Sequence, residues 1–289
     1  MKKIMLFSFL VIIFILTSCV KPDVFEPIVN DKSLSERAVF ICQFGFPGSL
    51  PGMMLSPYDL TVDNEGNIYV ADTGCDRIQK FNSRGEFMLA FGSTGNLSGQ
   101  MSIPYSIQID EMGYLWVLDT GNARIQRFDT NGKFLMKFGE PGTGNGQFNS
   151  AVSLTVHDRK VYVLDWGNYR VQVFDYHGKF LYKWGQSGPN PEDFQAPFGI
   201  EVDHLGYVYI ADHSGQIKKY TSKGKFIKAW GSIGTGNGQF QTPTRIAADP
   251  FGYLYVIDMG NQRIQKFNSD GEFIMKFGKS GGGSYGFAA

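Results

Sequence analysis

The residues of this sequence that are best suited to ionic chemistry are aspartates and arginines that recur as pairs. In one copy, Asp119 and Arg124 flank a Gly-Asn turn, so a carboxylate and a guanidinium can meet across a hairpin. Since one active site does not need several copies of its residues, we interpret the pairs as structural contacts. The other pairs are Asp72–Arg77, Asp165–Arg170 and Asp258–Arg263, whereas Asp212 has Gln216 where an arginine is expected.

Other patterns that could carry chemistry are weaker. The four histidines (His157, His177, His204 and His213) show neither the HxH nor the HExxH spacing of a zinc site. Two GTGNGQF stretches lack the Lys-Ser/Thr ending of a phosphate-binding loop and read as crossovers between repeats. No nucleophile elbow is present. We therefore predict no catalytic residue, no metal ligand and no cofactor.

The elements that must position these residues form a repeat. The marker aspartates recur every 46–47 residues, and an aromatic–Gly pair such as Phe138-Gly139 closes each copy. Each copy contains four short apolar runs separated by turn residues, which is typical of antiparallel strands joined by tight turns. Four strands per repeat predict an all-β propeller in which each repeat is one blade. The five repeats span about 57–103, 104–150, 151–196, 197–242 and 243–287.

The blade count predicted from the sequence is five with a partial sixth. Residues 38–45 (AVFICQFG) match only the fourth strand of a repeat, and the tail after Gly278 matches only the linker into a next first strand. Either the ring closes irregularly or the sequence is truncated, and we favour truncation, because a propeller normally closes its ring to avoid open sheet edges.

The repeat resembles a known family. The run D-x-G-N-x-R-[IV]-Q-x-F, followed by G-[EK]-F and an aromatic–Gly pair, is similar to the NHL repeat, and it is nearly complete at 119–128, 165–174 and 258–267. The first copy has Cys75 in place of Asn, and the fourth copy departs further, as DHSGQIKKY. The resemblance covers roughly residues 38–287 and implies a six-bladed NHL-type propeller.

The N-terminal segment has a different character. Lys2 and Lys3 precede an apolar run that ends in Leu-Thr-Ser-Cys, which is typical of a secretory signal and looks like a bacterial lipobox. We therefore predict a lipoprotein signal peptide over residues 1–18, lipidation of Cys19, a tether over 19–37 and the propeller over 38–289. The alternative is an ordinary signal peptide with an incidental cysteine. A diacylated cysteine would anchor the protein stably to a membrane of the cell envelope, on the exported side.

Charge and cysteine content restrict the partners. The chain has 27 basic and 27 acidic residues and no basic run, so a nucleic-acid partner is not expected. Cys42 and Cys75 are expected to be free thiols, with a disulfide between them as the alternative. Three cysteines cannot build the RING domain of the ubiquitin ligases that contain NHL repeats. We expect a monomer.

Positions at which the copies differ are the candidates for a ligand-binding site. Residues that open the first strands and residues of the turns after the second strands should share one end of the ring, around the channel. Aromatic and polar side chains there predict a recognition surface, although each could instead pack between blades. This predicted rim consists of Tyr58, Asp59, Tyr105, Trp166, Tyr169, Phe198, His213, Arg245 and Met259.

Two functions are consistent with these features. The first is a lipid-anchored propeller that binds a protein, peptide or glycan without catalysis. The second is an envelope lyase or hydrolase that uses zinc or calcium in the channel, a possibility that the resemblance raises because the NHL family includes a zinc-dependent lyase. The zinc-ligating histidines of that lyase have no counterpart in this sequence.

Overall fold

The computed structural model describes residues 44–280 and 286–287. It is an all-β propeller of five four-stranded antiparallel blades, each in simple up-and-down order. Apart from short 3-10 turns, the described residues contain no helix. The predicted signal peptide, Cys19, Cys42 and the tether lie outside the described residues.

The strands follow the repeats predicted from the sequence. Those of blade 1 are Pro57–Val62, Ile68–Asp72, Arg77–Phe81 and Phe87–Phe91. Those of blade 2 are Pro104–Ile109, Leu115–Asp119, Arg124–Phe128 and Phe134–Phe138. Those of blade 3 are Ala151–His157, Lys160–Asp165, Arg170–Asp175 and Phe180–Trp184. Those of blade 4 are Pro197–Val202, Val208–Asp212, Gln216–Tyr220 and Phe226–Trp230. Those of blade 5 are Pro243–Ala248, Leu254–Asp258, Arg263–Phe267 and Phe273–Phe277.

Short parallel ladders precede the blades in the crossovers. The paired segments are Phe46–Pro47 with Met53–Met54, Glu140–Pro141 with Gln147–Phe148, and Lys279–Ser280 with Gly286–Phe287. Single bridges occupy the equivalent places at Thr94–Met101, Ser187–Phe194 and Ile233–Phe240. The 3-10 turns between second and third strands are Thr73–Cys75, Thr120–Asn122, Trp166–Asn168 and Met259–Asn261.

The core lies between the blades. First strands of successive blades pack side by side and are the innermost strands of the ring. Second strands are mainly apolar, and each ends in a buried aspartate. In blades 2 to 4 they are buried on both faces because a blade lies on either side, whereas in blade 1 Phe44 and Met54 pack with the second strand. Fourth strands alternate between half-buried and exposed residues, as outer edges do. Each large apolar side chain buried between blades stabilises the fold by roughly 1.5–3 kcal/mol.

A glycine and an aromatic ring join each blade to the preceding one. Gly132 has a φ of +80°, and a Cβ added to it would lie 2.5 Å from Cγ of Phe91, so only glycine allows this contact. Gly85 of blade 1 makes the same contact with Phe44. Phe44 therefore takes the place of a fourth-strand aromatic preceding blade 1, as its sequence position predicts.

The burial of blade 5 marks the place of a sixth blade. Tyr209 and Ala211 of blade 4 are fully buried against blade 5. Their equivalents in blade 5, Tyr255 and Ile257, are only half-buried. The place of a sixth blade is thus bordered by apolar side chains of blade 5 on one side and by Phe44 and blade 1 on the other. The predicted fold, five full blades and a partial sixth, is confirmed.

The paired aspartates and arginines form one repeated network. Asp119 is fully buried and accepts hydrogen bonds from the backbone N–H of Ser102 (2.7 Å), Nε of Arg124 (2.7 Å) and Nε2 of Gln126 (3.0 Å). Arg124 also donates to three carbonyls of the preceding crossover, including that of Gln100 (2.8 Å). These hydrogen bonds hold the crossover against the blade. The other three pairs, at 2.8 Å each, are Asp72–Arg77, Asp165–Arg170 and Asp258–Arg263.

Blade 4 keeps the network with different residues. Gln216 pairs across the strands with Asp212, in the place of the arginine, but the cation comes from Lys218, which stands where the other blades have glutamine. Its Nζ lies 3.3 Å from the Asp212 carboxylate and donates to the carbonyl of Asp193 in the crossover. Lys218 is 1% exposed and Asp212 is 0% exposed. The sequence of this copy lacks the arginine, and the structure shows that a cation two residues further along the strand replaces it.

Candidate functional site: the channel mouth

The mouth of the channel is built by a bulge that occurs in every blade. The pairing of first and second strands shifts register at Pro57/Asp59, Pro104/Ser106, Ala151/Ser153, Pro197/Gly199 and Pro243/Arg245. A bulge re-aims the side chain of the extra residue, which is why such irregularities are frequent at functional sites. The bulged residues are Tyr58, Tyr105, Val152, Phe198 and Thr244.

Four rings meet at this mouth. Tyr58 stacks on Tyr105 with centroids 3.7 Å apart, and Tyr105 meets Phe198 edge-on at 6.3 Å. Phe198 stacks on the imidazole of His213 at 4.6 Å, with the planes only 16° apart. All four side chains are half-buried, so they pack on one another and still present surface to solvent. The structure thus brings together four of the nine predicted rim residues in one aromatic cluster.

Arg245 holds the strand openings together. Its guanidinium donates to the carbonyls of Tyr105 (3.0 Å), Val152 (3.2 Å) and Phe198 (3.1 Å), which belong to three different blades. The same group lies 5.1 Å from the ring centroid of Tyr58, a cation–π contact. Four blades therefore meet at one side chain from the fifth.

Asp59 completes this polar centre. Its carboxylate lies 3.6 Å from Nε of Arg245, and it accepts hydrogen bonds from the hydroxyl of Ser106 (2.7 Å) and the backbone N–H of Ile107 (3.1 Å). These bonds link the first strands of blades 1, 2 and 5. Asp59 and Arg245 are thus engaged in contacts between blades, and the half-buried rings around them keep part of their surface exposed.

Burial favours the uncharged forms of His213 and Tyr105 in the aromatic cluster. Desolvation lowers the pKa of His213, outweighing the opposite effect of the Asp212 charge, so the imidazole is neutral at neutral pH. Its Nε2 is buried and makes no hydrogen bond within the described residues. Desolvation, together with the hydrogen bond to Tyr58, raises the pKa of Tyr105, so the phenol also stays uncharged. The cluster is suited to contact with uncharged or aromatic groups.

The remaining predicted rim residues separate into two kinds. Trp166 and Met259 occupy equivalent turn positions and are 37% and 57% exposed. Tyr169 sits in a left-handed conformation (φ +51°) and packs against the core cluster between blades 3 and 4. Tyr169 is half-buried and contacts this core as Tyr105 does, so Trp166 is the more exposed of the two aromatic residues in its turn.

Glu201 is a channel residue that the sequence analysis missed. It lies on the innermost strand of blade 4, where it accepts hydrogen bonds from Thr155 Oγ1 (3.3 Å) and its neighbour's backbone N–H (3.0 Å). Desolvation raises its pKa to about 8 despite these bonds, with a smaller contribution from Asp59 and Asp203. The carboxyl therefore keeps its proton at neutral pH. The only available signal was a Glu where the other copies have Thr, Gln or Ala.

Within residues 44–280 and 286–287, no three His, Cys, Asp or Glu side chains converge as metal ligands would. In the same part of the chain there is no helix of the length and apolar character that crossing a bilayer requires.

Comparison with known proteins supports the fold. A model of the family DUF5128, described as a 6-bladed beta-propeller, matches residues 147–222. No curated protein matches the sequence.

Several solved structures share the fold at low identity. A virginiamycin B lyase from Staphylococcus aureus is 16% identical over 76% of this chain and 69% of its own, with a TM-score of 0.56. A protein of unknown function from Bacteroides caccae is 13% identical over 76% of this chain and 80% of its own, with a TM-score of 0.59. A gluconolactonase from Xanthomonas campestris is 14% identical over 75% of this chain and 74% of its own, with a TM-score of 0.55. At these identities the likeness concerns the fold alone.

Proposed function

We propose that this chain is an NHL-type propeller lipoprotein of the cell envelope that binds a protein, peptide or glycan at the channel mouth. The observation that carries the proposal is the aromatic cluster of Tyr58, Tyr105, Phe198 and His213, with exposed Trp166 nearby on the same face. Half-buried rings with fixed neighbours are effective anchors, because little conformational entropy is lost when a ligand covers them.

The polar groups of the mouth favour binding over catalysis. Arg245 and Asp59 are committed to carbonyls, a hydroxyl, a backbone amide and each other. A group held in this way maintains the shape of a surface and has little freedom to transfer protons. The variable element that remains is the aromatic face, which recognises sugar rings, aromatic side chains and apolar peptide segments.

Membrane attachment through Cys19 is the second part of the proposal. It is supported by the charged and apolar segments before Leu-Thr-Ser-Cys. We expect Cys19→Ala to prevent acylation and to release the protein from the membrane fraction. A variant that stays fully membrane-bound after salt washing would contradict this part.

Arrays of peptides and of glycans provide the test of binding, probed with the purified protein. We expect a defined set of ligands whose binding falls at least tenfold in Phe198→Ala and in Trp166→Ala. The matched control is Leu205→Ala, an exposed residue in a turn between first and second strands, which should bind as the parent protein does. Equal binding by all variants would contradict a site at the mouth.

Glu201 favours an enzyme as the second candidate, in line with the lyase and lactonase among the structural neighbours. A carboxyl that is protonated at neutral pH on an innermost strand can serve as a general acid. In this reading the protein is a lyase or hydrolase with its site in the channel, although the described residues provide no three convergent ligands for the zinc or calcium that this candidate would use. Metal analysis of the purified protein distinguishes the two candidates, since stoichiometric zinc or calcium would favour the enzyme.

A further inference from the structure

Blade 3 departs from the other blades in the turn between its first and second strands. In those blades the turn begins with an aspartate that accepts a hydrogen bond from a ring of the second strand, as Asp110 does from Nε1 of Trp116 (2.8 Å). The other three pairs of this kind are Asp63–Tyr69, Asp203–Tyr209 and Asp249–Tyr255. In blade 3, His157 stands in the place of the aspartate, and the turn is one residue shorter.

The short turn has an unusual backbone conformation. His157 pairs with Lys160, so Asp158 and Arg159 are the two central residues of a tight hairpin. Their φ angles are +46° and +56°, a left-handed conformation that such hairpins usually give to Asn-Gly or Asp-Gly pairs. Backbone strain of this kind is concentrated at functional sites.

A second departure from the repeat lies in the next turn of the same blade. Tyr176 occupies a place where the other turns between third and fourth strands carry a small hydroxyl residue. These residues are Ser83, Thr130, Ser222 and Ser269. The ring of Tyr176 lies 5.3 Å from that of Trp116 in blade 2, and its carbonyl accepts a hydrogen bond from Arg127 of the same blade (3.0 Å). A half-buried ring is thus fixed between blades 2 and 3.

The two departures line one cleft on the face of the ring opposite to the mouth. The second strand of blade 3, Lys160–Asp165, leads from the short turn to the 3-10 turn at the mouth, and six extended residues span roughly 20 Å. The cleft has a volume of about 600 Å³, within the size range of small-molecule sites. Its lining consists of Glu111, Met112, His157, Asp158, Arg159 and Tyr176. Because these departures from the repeat meet at one place, they indicate a function more than a requirement of the fold.

The cleft presents side chains of both charges that are available to a ligand. Within the described residues, neither the exposed carboxylate of Glu111 nor the exposed guanidinium of Arg159 has an ion-pair partner. Both act on the phenol of Tyr176, whose pKa is raised chiefly by burial and further by Asp110 and Glu111, whereas Arg159 lowers it. The other acidic residues around the cleft already accept hydrogen bonds, and they are Asp110, Asp158 and Asp175.

We propose that this cleft binds a small zwitterion that carries an aromatic ring, such as a free aromatic amino acid. Arg159 binds the carboxylate of the ligand, Glu111 binds its ammonium group, and the ring packs on Tyr176. A ligand with a single charge leaves one of the two charged side chains without a partner, so the cleft prefers ligands with both. The site is separate from the channel mouth and does not depend on the function proposed there.

Three indole compounds that differ mainly in their charged groups test this proposal. Tryptophan carries an ammonium and a carboxylate group, tryptamine only the ammonium group and indole-3-propionate only the carboxylate. Isothermal titration calorimetry with the purified full chain measures their affinities. We expect a dissociation constant of about 1 mM or lower for tryptophan. Each compound with a single charge should bind at least about fivefold more weakly.

Variants of the cleft assign the two charges. Arg159→Gln should weaken the binding of tryptophan and indole-3-propionate and leave tryptamine unchanged. Glu111→Gln should weaken tryptophan and tryptamine and leave indole-3-propionate unchanged. Tyr176→Ser, which restores the hydroxyl residue of the other blades, should weaken all three compounds. The controls are Arg84→Gln, an exposed arginine on the same face in blade 1, and Phe198→Ala at the mouth, and both should bind tryptophan as the parent protein does.

Several results would overturn the proposal. These are the absence of tryptophan binding near the limit of its solubility, equal binding of all three compounds, and loss of tryptophan binding in Phe198→Ala alone, which would place the compound at the mouth. Equal losses for all three compounds in Arg159→Gln would contradict a role in binding the carboxylate. If Tyr176→Ser does not fold, the two charge variants decide, since their side chains are exposed.

Discussion

Replacing Lys218 by methionine tests the interpretation of blade 4 at a single buried contact. Asp212 is fully buried and accepts hydrogen bonds from the backbone N–H groups of Gln195 (3.0 Å), Ala196 (3.1 Å) and Ser214 (3.0 Å). Its one cationic partner among the described residues is Lys218 at 3.3 Å. Methionine has a similar volume and no charge, so Lys218→Met leaves the carboxylate buried without a cation.

The size of the effect follows from this geometry. Removing one partner of a buried ion pair costs about 3–5 kcal/mol, because the remaining charge stays desolvated. For a domain of this size, each kcal/mol lowers the melting temperature by about 2–4 °C. We therefore expect thermal denaturation, followed by circular dichroism, to show a decrease of about 10 °C at pH 7.

The pH dependence provides a second readout. Burial alone would raise the pKa of Asp212, but the backbone hydrogen bonds and Lys218 hold it below its ordinary value. Such a group stabilises the fold above the unfolded pKa of about 3.9, and this contribution is lost as the pH falls through the folded pKa. In Lys218→Met the carboxyl loses its cation, so its pKa rises. The stability deficit should shrink as the pH falls towards about 4, because a protonated carboxyl needs no cation.

A double variant supplies the control. Lys218→Gln with Gln216→Arg rebuilds the arrangement that the other four blades use, so it should recover most of the stability that Lys218→Met loses. The interpretation is refuted if Lys218→Met melts within about 2 °C of the parent protein, or if its deficit is the same at pH 4 and pH 7.

Three further predictions concern other parts of the ring. Arg124→Ala should destabilise the protein by about 3 kcal/mol in chemical denaturation, whereas the exposed control Arg84→Ala should not. Equal stability of the two variants would contradict a structural role for the Asp–Arg pairs. Tyr169→Ala should lower the melting temperature and Trp166→Ala should not, since only Tyr169 packs between blades. The reverse result would show that Trp166, and not Tyr169, stabilises the contact between blades. Glu201→Gln should be more stable than the parent protein at pH 9 and similar to it at pH 5, because Glu201 holds its proton up to about pH 8 in the fold. The parent protein therefore loses stability between the unfolded pKa of about 4.3 and pH 8, and an equal loss in Glu201→Gln would contradict this assignment.

The repeat made the fold predictable. Its strands, turns and aromatic–Gly pairs depend on local residue types at a fixed spacing, and these recur in every blade. The structural role of the Asp–Arg pairs could be inferred for the same reason, since four copies of one arrangement indicate a requirement of the fold. Even Phe44, which stands alone in the sequence, could be placed because Phe91 and Phe138 define its position.

The remaining features depend on contacts between distant parts of the chain. Arg245 contacts Tyr105, which is 140 residues away, and nothing local to either residue predicts this. Lys218 takes the place of the arginine but stands two residues further along the strand. At the arginine position itself the sequence shows only Gln216, so the replacement cation goes unnoticed. Tyr169 follows the turn pattern in sequence, yet its ring packs against a core that exists only when two blades are in contact.

The central claim is that a ligand binds at the channel mouth without being converted, and amide hydrogen exchange tests it most directly. The protein is compared with and without the tightest ligand found on the arrays. We expect slower exchange at the strand openings near Tyr58, Tyr105 and Phe198 and in the turn after Asp165, with unchanged exchange in the opposite turns at Met112 and Leu205. Slower exchange only in the opposite turns would contradict the claim, and so would chemical conversion of the ligand during the measurement.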